Sequence, residues 1–300
     1  MKSLEYQNNK LVFDQFILQD ISKDITTPFY LYSEALIKKN IKEYISHATD
    51  ATLFCYSVKA NSNLSILKLI AAEGMGFDVV SKGELYRVIK SGADPKKVVY
   101  SGVGKTKTEI RYALENNILC FNVESEGELL AINEEASSLN VTANISIRVN
   151  PDVAVESHPY ISTGMKDNKF GITYNNALAL YIKASKLKSL KIIGIDFHIG
   201  SQITSIQPYL DSIKSIRSLI IDLKKENINI THVDVGGGLG ISYEDENIVC
   251  KGDYIKEITN SLKDLNLTIL FEPGRSVIGD CGLLVTKLQY IKESETKNFM

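Results

Sequence analysis

Strand-like and helix-like segments alternate along this chain, and this alternation restricts the possible folds more than any other feature. Short apolar runs rich in β-branched and aromatic residues predict the strands, and apolar residues at helical spacing predict the helices. The predicted strands cover residues 52–58, 77–80, 98–100, 119–123, 145–149, 192–197, 231–235 and 268–271. The predicted helices between them cover residues 63–73, 82–91, 107–116, 125–139, 175–187, 206–226 and 254–265. Eight strands over about 230 residues indicate an α/β protein with a (β/α)8 TIM-type barrel. A doubly wound open sheet is the alternative, because strand number alone does not close a sheet.

Both ends of the chain lie outside this alternation. Residues 1–30 predict one or two strands, and Ser33 is placed to cap a helix that runs from Glu34 to about His47. Residues 282–290 alternate like a strand but no helix follows them. They suggest the start of a second, all-β domain.

Composition and charge exclude several classes of protein. A hydrophobic content of 44% with 23% charged residues is typical of a soluble globular protein. A net charge of −2 gives no reason to expect nucleic acid or an anionic membrane as a partner. The four cysteines lie far apart without a C-x-x-C pair, so neither a metal site nor a disulfide framework is predicted, and a cytoplasmic location is expected. The N-terminus is too polar for a signal peptide, and no apolar run approaches the length of a membrane span.

Polar residues and glycines collect where the predicted strands end. The carboxyl ends of the strands carry the chemistry of a barrel, and a bare scaffold would not need so many polar groups there. The residues at these ends are Lys59, Asp78, Ser81, Arg148, Asn150, His198, Gly200, Ser201, Gln202, Gly236, Gly237, Gly238, Glu272, Pro273, Gly274 and Arg275. Strand alternation also predicts that polar side chains line the barrel interior, where we interpret Arg148 as an internal ion-pair partner.

Four of these features together suit pyridoxal phosphate. The cofactor needs a lysine for its Schiff base, an anchor for its phosphate, a side chain against its ring and a group at its ring nitrogen. Lys59, the run Gly236–Gly238, His198 and Glu272 fit these needs in turn, and Ser201 with the amide of residue 274 could add donors to the phosphate. Plainer interpretations remain open: a tight turn, a core histidine and a surface carboxylate. A Schiff-base aldolase is another use for such a lysine.

Four ordered motifs resemble those of the diaminopimelate decarboxylases, which belong to the alanine-racemase-like group of pyridoxal-phosphate enzymes. The motifs are Ser57–Asn61 (SVKAN), His198–Gln202 (HIGSQ), Asp234–Gly238 (DVGGG) and Glu272–Ser276 (EPGRS). The segments 77–85, 148–151 and 169–171 also match. The resemblance extends from about residue 10 to the end of the chain.

The resemblance implies a role for each matching residue. Lys59 would carry the cofactor, His198 would stack on its ring, and Glu272 would hold the ring nitrogen; these three are the predicted catalytic residues. Arg275 would also hold a carboxylate of the substrate. The residues implied around the phosphate are Ser201, Gly236, Gly237, Gly238, Gly274 and Arg275, and Pro273 is also implied in cofactor binding. The implied reaction is decarboxylation of meso-2,6-diaminopimelate at its D-configured centre to L-lysine and CO2, the last step of lysine biosynthesis.

The family's architecture implies a barrel and an all-β domain formed from both chain ends. We therefore expect residues 1–30 and 276–300 in the β-domain and residues 31–275 in the barrel, with a homodimer that has its active sites at the subunit interface. Chains of this family continue beyond the position of Met300, so we expect a truncated chain that binds the cofactor weakly and has negligible activity. The alternatives are an ornithine- or arginine-type decarboxylase or racemase of the same fold, and a non-catalytic pyridoxal-phosphate-binding protein. Such carriers lack the β-domain, and the strand at 282–290 argues against that last alternative.

Overall fold

A computed structural model describes residues 4–151, 169–244 and 246–300. Its strands are β1 (Leu4–Gln7), β2 (Lys10–Phe13), β3 (Phe16–Ile17), β4 (Phe29–Tyr32), β5 (Thr52–Ser57), β6 (Gly76–Val79), β7 (Val98–Tyr100), β8 (Cys120–Val123), β9 (Ala143–Asn150), β10 (Ile172–Thr173), β11 (Leu190–Asp196), β12 (His232–Asp234), β13 (Thr268–Phe271) and β14 (Gly282–Val285). Its helices are α1 (Leu18–Asp24), α2 (Glu34–Ile45), α3 (Leu64–Ala72), α4 (Lys82–Lys90), α5 (Lys107–Glu115), α6 (Glu126–Ser138), α7 (Tyr174–Ala184), α8 (Gln207–Lys225), α9 (Lys251–Leu262) and α10 (Arg275–Ile278).

Eight parallel strands form a closed barrel. Their order is β5, β6, β7, β8, β9, β11, β12 and β13, and β13 pairs with β5 to complete the ring. The predicted (β/α)8 barrel is confirmed, and the open sheet is excluded. Each predicted barrel strand exists, with ends that differ by at most two residues.

The barrel separates an apolar layer from a polar interior. In β9, Ile145, Ile147 and Val149 belong to the core between the strands and the helices. Ser146 and Arg148 alternate with them and are also buried. Strand alternation therefore places the polar side chains inside the barrel, as the sequence predicts.

Local signals define the ends of several helices. The Ser33 side chain accepts a hydrogen bond from the amide of Leu36, so the predicted cap of α2 is confirmed. At the start of α5, Thr106 and Glu109 form a reciprocal capping box. These caps fix where each helix leaves its strand-end loop, and thus where the loop residues lie.

The two chain ends meet beside the barrel. β1, β2 and β3 form an antiparallel sheet, and β4 pairs antiparallel with β14. The prediction of one or two N-terminal strands was wrong, since the described residues 4–32 form four strands and α1. These strands are only two to four residues long, too short for periodicity to show. The strand predicted over 282–290 ends at Val285.

Candidate active site at the carboxyl ends of the strands

One cavity of about 380 Å³ opens at the carboxyl ends of the barrel strands. Seven of the predicted site residues line it: Lys59, His198, Ser201, Gly238, Glu272, Gly274 and Arg275. Its remaining lining residues are Ser57, Ala60, Gln202, Leu239, Ile278 and Gly279. Three predicted residues, Gly236, Gly237 and Pro273, are not among the lining residues. The loops after β5, β11, β12 and β13 thus converge on one space.

Lys59 lies in a short 3-10 turn directly after β5, with its side chain half exposed to the cavity. Its Nζ is 2.5 Å from Oδ2 of the fully buried Asp78 on β6. Burial disfavours the charge of Lys59, but the carboxylates of Asp78 and Glu272 outweigh burial and raise the pKa of Lys59. The amine is therefore held as an ammonium in the cofactor-free chain.

The loop that carries Lys59 packs on the loop after β13. The Ser57 amide donates to the carbonyl of Pro273 at 3.0 Å. The Ser57 hydroxyl lies within hydrogen-bond distance of two acceptors, Asp78 at 2.9 Å and the carbonyl of Glu272 at 3.1 Å. A Cβ on Gly274 would lie 3.1 Å from Cβ of Ser57, so a side chain there would press the two loops apart. Pro273 and Gly274 thus hold Lys59 and Glu272 on one wall.

Glu272 is buried at the end of β13 among other carboxylates. One oxygen each of Asp196, Asp234 and Glu272 lie within 4.8 Å of one another. Burial raises the pKa of Glu272, and the neighbouring Asp234 raises it further. Burial also raises the pKa of Asp234 to about 6. Because like charges crowd here, Glu272 favours its protonated form until a cation lies beside it.

His198 follows β11 and offers a neutral ring to the cavity. Burial, together with the charges of Arg148 and Lys59, lowers the pKa of His198 to about 3. The Gly237 amide donates to its Nδ1 at 3.2 Å, so Nε2 carries the proton. An uncharged, oriented imidazole is suited to lie against a flat ligand.

Most of the glycine run after β12 lies outside the cavity lining and supports the residues that form it. The Gly236 amide donates to Asp234 at 2.9 Å, and the Gly237 amide donates to His198. Of the three glycines, only Gly238 lines the cavity. Its φ is +101°, and a Cβ there would lie 2.3 Å from the carbonyl oxygen of Gly200. The amides of Gly236 and Gly237, which we expected to face a phosphate, are therefore already bonded within the protein.

Gly237→Ala should weaken cofactor binding at least about tenfold and destabilise the chain by about 1–3 kcal/mol. A Cβ at this position would lie 2.1 Å from the carbonyl oxygen of Glu272, a backbone atom that cannot rotate away. The loops after β12 and β13 would have to separate. Titration with pyridoxal phosphate and thermal unfolding measure the two effects.

Gly127→Ala in α6 is the matched control. A Cβ on Gly127 meets nothing within 4 Å, so this change should be neutral or stabilise the helix by up to about 1 kcal/mol. Normal cofactor affinity in Gly237→Ala would contradict the close packing of the two loops.

Arg275 and Gln202 lie together in the cavity wall. The Arg275 Nη1 donates to Oε1 of Gln202 at 3.1 Å, and its guanidinium lies 5.9 Å from the centre of the Tyr243 ring. Within residues 4–151, 169–244 and 246–300, no carboxylate forms an ion pair with Arg275. With Ser201 beside it, this wall is suited to bind an anion.

Arg148 lies inside the barrel rather than on the cavity wall. Its guanidinium is 3.3 Å from Glu124 and 3.9 Å from Asp196, so the expected internal ion pair is present. The sequence did not single out Glu124. This carboxylate also accepts the amides of Gly102 at 2.8 Å and Gly171 at 3.1 Å. Its position directly after β8, at a strand end, was the available signal.

The residues of the cavity fit pyridoxal phosphate. They supply an amine at Lys59, a neutral ring at His198 and a buried carboxylate at Glu272. Arg275 supplies a cation to the same cavity, and Gly238 contributes backbone without a side chain to its lining. The volume is within the usual range for a small-ligand site.

Comparison with known proteins agrees with this chemistry and defines the class. Residues 34–279 match the family described as pyridoxal-dependent decarboxylase, pyridoxal binding domain. This is therefore a decarboxylase-type barrel that binds pyridoxal phosphate. More particularly, the chain belongs to the diaminopimelate decarboxylase family.

Relatives with that name match along the whole chain. The chain is 46% identical over 300 residues to the diaminopimelate decarboxylase of Pseudomonas aeruginosa and 47% identical over 302 residues to that of Vibrio cholerae. Each match covers 100% of this chain and 72% of the relative. The crystal structure of diaminopimelate decarboxylase from Helicobacter pylori complexed with L-lysine has a TM-score of 0.90 and 42% identity, and covers 93% of this chain and 71% of that one. None of the described helices is long and apolar enough to cross a membrane.

Proposed function

We propose that this protein decarboxylates meso-2,6-diaminopimelate at its D-configured centre and releases L-lysine and CO2, with pyridoxal phosphate as its cofactor. The observation that carries this proposal is the 46% and 47% identity to diaminopimelate decarboxylases over the whole chain. The reaction is the last step of lysine biosynthesis.

Lys59 is the residue that we assign to covalent attachment of the cofactor. Its ammonium is held by Asp78, which fixes where the nitrogen lies and faces the proton that Lys59 must release to react. When bound, pyridoxal phosphate supplies the electron sink for the electron pair left as CO2 departs. The contacts of Ser57 with Asp78 and with the carbonyl of Glu272 hold Lys59 and Glu272 on the same wall.

We assign His198 to a face of the cofactor ring and Glu272 to the ring nitrogen. A neutral imidazole can lie against the ring face without adding charge to it, and the amide of Gly237 fixes its orientation. Glu272 would face the ring nitrogen and keep it protonated. A buried carboxyl group with a raised pKa is stable as an anion only beside a cation, so its ionised form would favour a protonated nitrogen.

The remaining cavity residues are assigned to anions. Ser201, Gly238 and Gly274 with Arg275 surround the phosphate, and Arg275 also holds a carboxylate of the substrate. Gly236, Gly237 and Pro273 do not line the cavity but support its wall, through their hydrogen bonds to Asp234, His198 and Ser57 respectively.

The protein's organisation is also proposed. We assign residues 1–30 and 276–300 to a β-domain and residues 31–275 to the barrel. The pairing of β4 with β14 supports a β-domain formed from both chain ends, and it includes Leu31 and Tyr32 as well. We infer a homodimer with active sites at its interface, which light scattering tests as a doubled mass in solution. The free state of the four cysteines supports a cytoplasmic location.

A substrate panel tests the proposed reaction. The natural full-length protein, supplied with pyridoxal phosphate, should release CO2 from meso-diaminopimelate and yield L-lysine, while ornithine, arginine and L-lysine remain unchanged. Preference for ornithine or arginine would replace the proposal by the related decarboxylases. Cofactor binding without CO2 from any amino acid would indicate a carrier.

A further inference from the structure

Gln202 lies in the cavity wall with its side-chain amide held from both sides by one backbone unit. Its Nε2 donates to the carbonyl of Ile241 at 2.5 Å, and the amide of Ile241 donates to its Oε1 at 3.2 Å. These two bonds can form together only when the oxygen and nitrogen of Gln202 are in this orientation. The same oxygen accepts the guanidinium of Arg275 at 3.1 Å.

The backbone around Gln202 is equally fixed. Gln202 has a φ of +58°, a conformation that non-glycine residues seldom adopt. The following residue, Ile203, donates its amide to Gly238 at 2.9 Å and accepts the amide of Gly240 at 3.0 Å. A Cβ on Gly240 would lie 3.3 Å from Cδ of Gln202. The loops after β11 and β12 thus hold the left-handed backbone in place and leave little freedom to the side chain.

The charge of Arg275 is positioned but not neutralised by this contact. Lys59, by comparison, already has a carboxylate at 2.5 Å. Arg275 has a neutral amide oxygen and the face of Tyr243, and no described carboxylate within ion-pair distance. A guanidinium held in this way is ready to bind a carboxylate, often with two parallel hydrogen bonds.

We propose that Gln202 is a positioning residue that determines specificity: it aims Arg275 at the carboxylate that the substrate keeps. The inference rests on the proposed function and deepens it. A ligand that carries the retained carboxylate, such as L-lysine, is then bound in preference to 1,5-diaminopentane, which lacks it, because a fixed cation faces that group. A glutamate at this position would keep the hydrogen bond to Arg275 but neutralise its charge and repel the Ile241 carbonyl.

Two ligands isolate the carboxylate. L-lysine and 1,5-diaminopentane differ only in that group. The dissociation constant of 1,5-diaminopentane divided by that of L-lysine, measured for the holoenzyme by calorimetry without turnover, therefore reports its recognition. In Gln202→Ala we expect this ratio to fall about tenfold while the affinity for 1,5-diaminopentane stays the same. Gln202→Glu should lower the ratio further. For meso-diaminopimelate, KM should rise while kcat changes much less.

Gln207→Ala is the matched control, since Gln207 begins α8 at the surface and its side-chain amide donates to Asp211 of the same helix. An unchanged ratio of these two dissociation constants in both Gln202 variants would overturn the proposal. So would an equal loss of pyridoxal phosphate affinity and of both ligands, because that pattern indicates a loop support alone. Failure of the proposed function is a separate result: the wild-type protein would then release no CO2 from meso-diaminopimelate.

Discussion

Lys59→Ala should abolish covalent attachment of pyridoxal phosphate and lower the rate of decarboxylation by about 10²–10⁴-fold or more. Lys59 is the lysine that lines the cavity, and its Nζ is fixed at 2.5 Å from Asp78. Alanine removes both the attachment point and a positioned group that can move a proton. Borohydride reduction of the cofactor-loaded wild type, followed by peptide mapping, should place the covalent label on Lys59.

Lys183→Ala provides the comparison for Lys59, because Lys183 pairs with Glu126 on the surface of the barrel. That variant should retain the label, the cofactor affinity and the rate. A label on a different lysine in the wild type would refute the assignment of Lys59. So would an unlabelled Lys59 in folded protein that has been saturated with cofactor.

The barrel could be predicted because its signals are local. Each strand is a short apolar run, each helix has its own periodicity, and the loop between them begins at a polar residue such as Lys59 or His198. The parallel topology then brings all strand ends to one rim, so residues far apart in sequence could be placed together. The N-terminal strands were underestimated because two to four residues carry no periodic signal.

Contacts between loops could not be predicted in the same way. Nothing local to Gly236–Gly238 shows that two of its amides are bonded to Asp234 and His198. The bond between Gln202 and Arg275 joins residues 73 positions apart. Such contacts depend on how closely neighbouring loops pack, which the sequence of one loop does not determine.

Glu272→Gln should lower turnover by about 10²–10³-fold while Lys59 remains labelled by the cofactor. The glutamine fills the same space but cannot become an anion beside the ring nitrogen, so the proton there is no longer held.

The substitution should also change the pH dependence of stability in the cofactor-free chain. Burial and Asp234 raise the pKa of Glu272 in the folded state, so its contribution is fully present below its unfolded pKa and is lost as pH rises through the folded value. Glutamine does not ionise, and the cofactor-free variant should therefore lose less stability than the wild type between acidic and alkaline pH.

The two effects of Glu272→Gln have opposite signs, and this separates a catalytic carboxylate from a structural one. At alkaline pH the cofactor-free variant should unfold at a higher temperature than the wild type, yet its holoenzyme should be much slower. Glu257→Gln, on the exposed side of α9, should change neither quantity. Thermal unfolding across pH, cofactor absorbance and CO2 release measure the three expectations. Wild-type turnover in Glu272→Gln would show that this carboxylate does not face the ring nitrogen, whereas a uniform loss of stability at every pH would assign it to folding. We expect a slow holoenzyme and a cofactor-free fold that resists alkaline pH better than the wild type. Both results follow if Glu272 is crowded against Asp234 and, in the holoenzyme, keeps the ring nitrogen protonated.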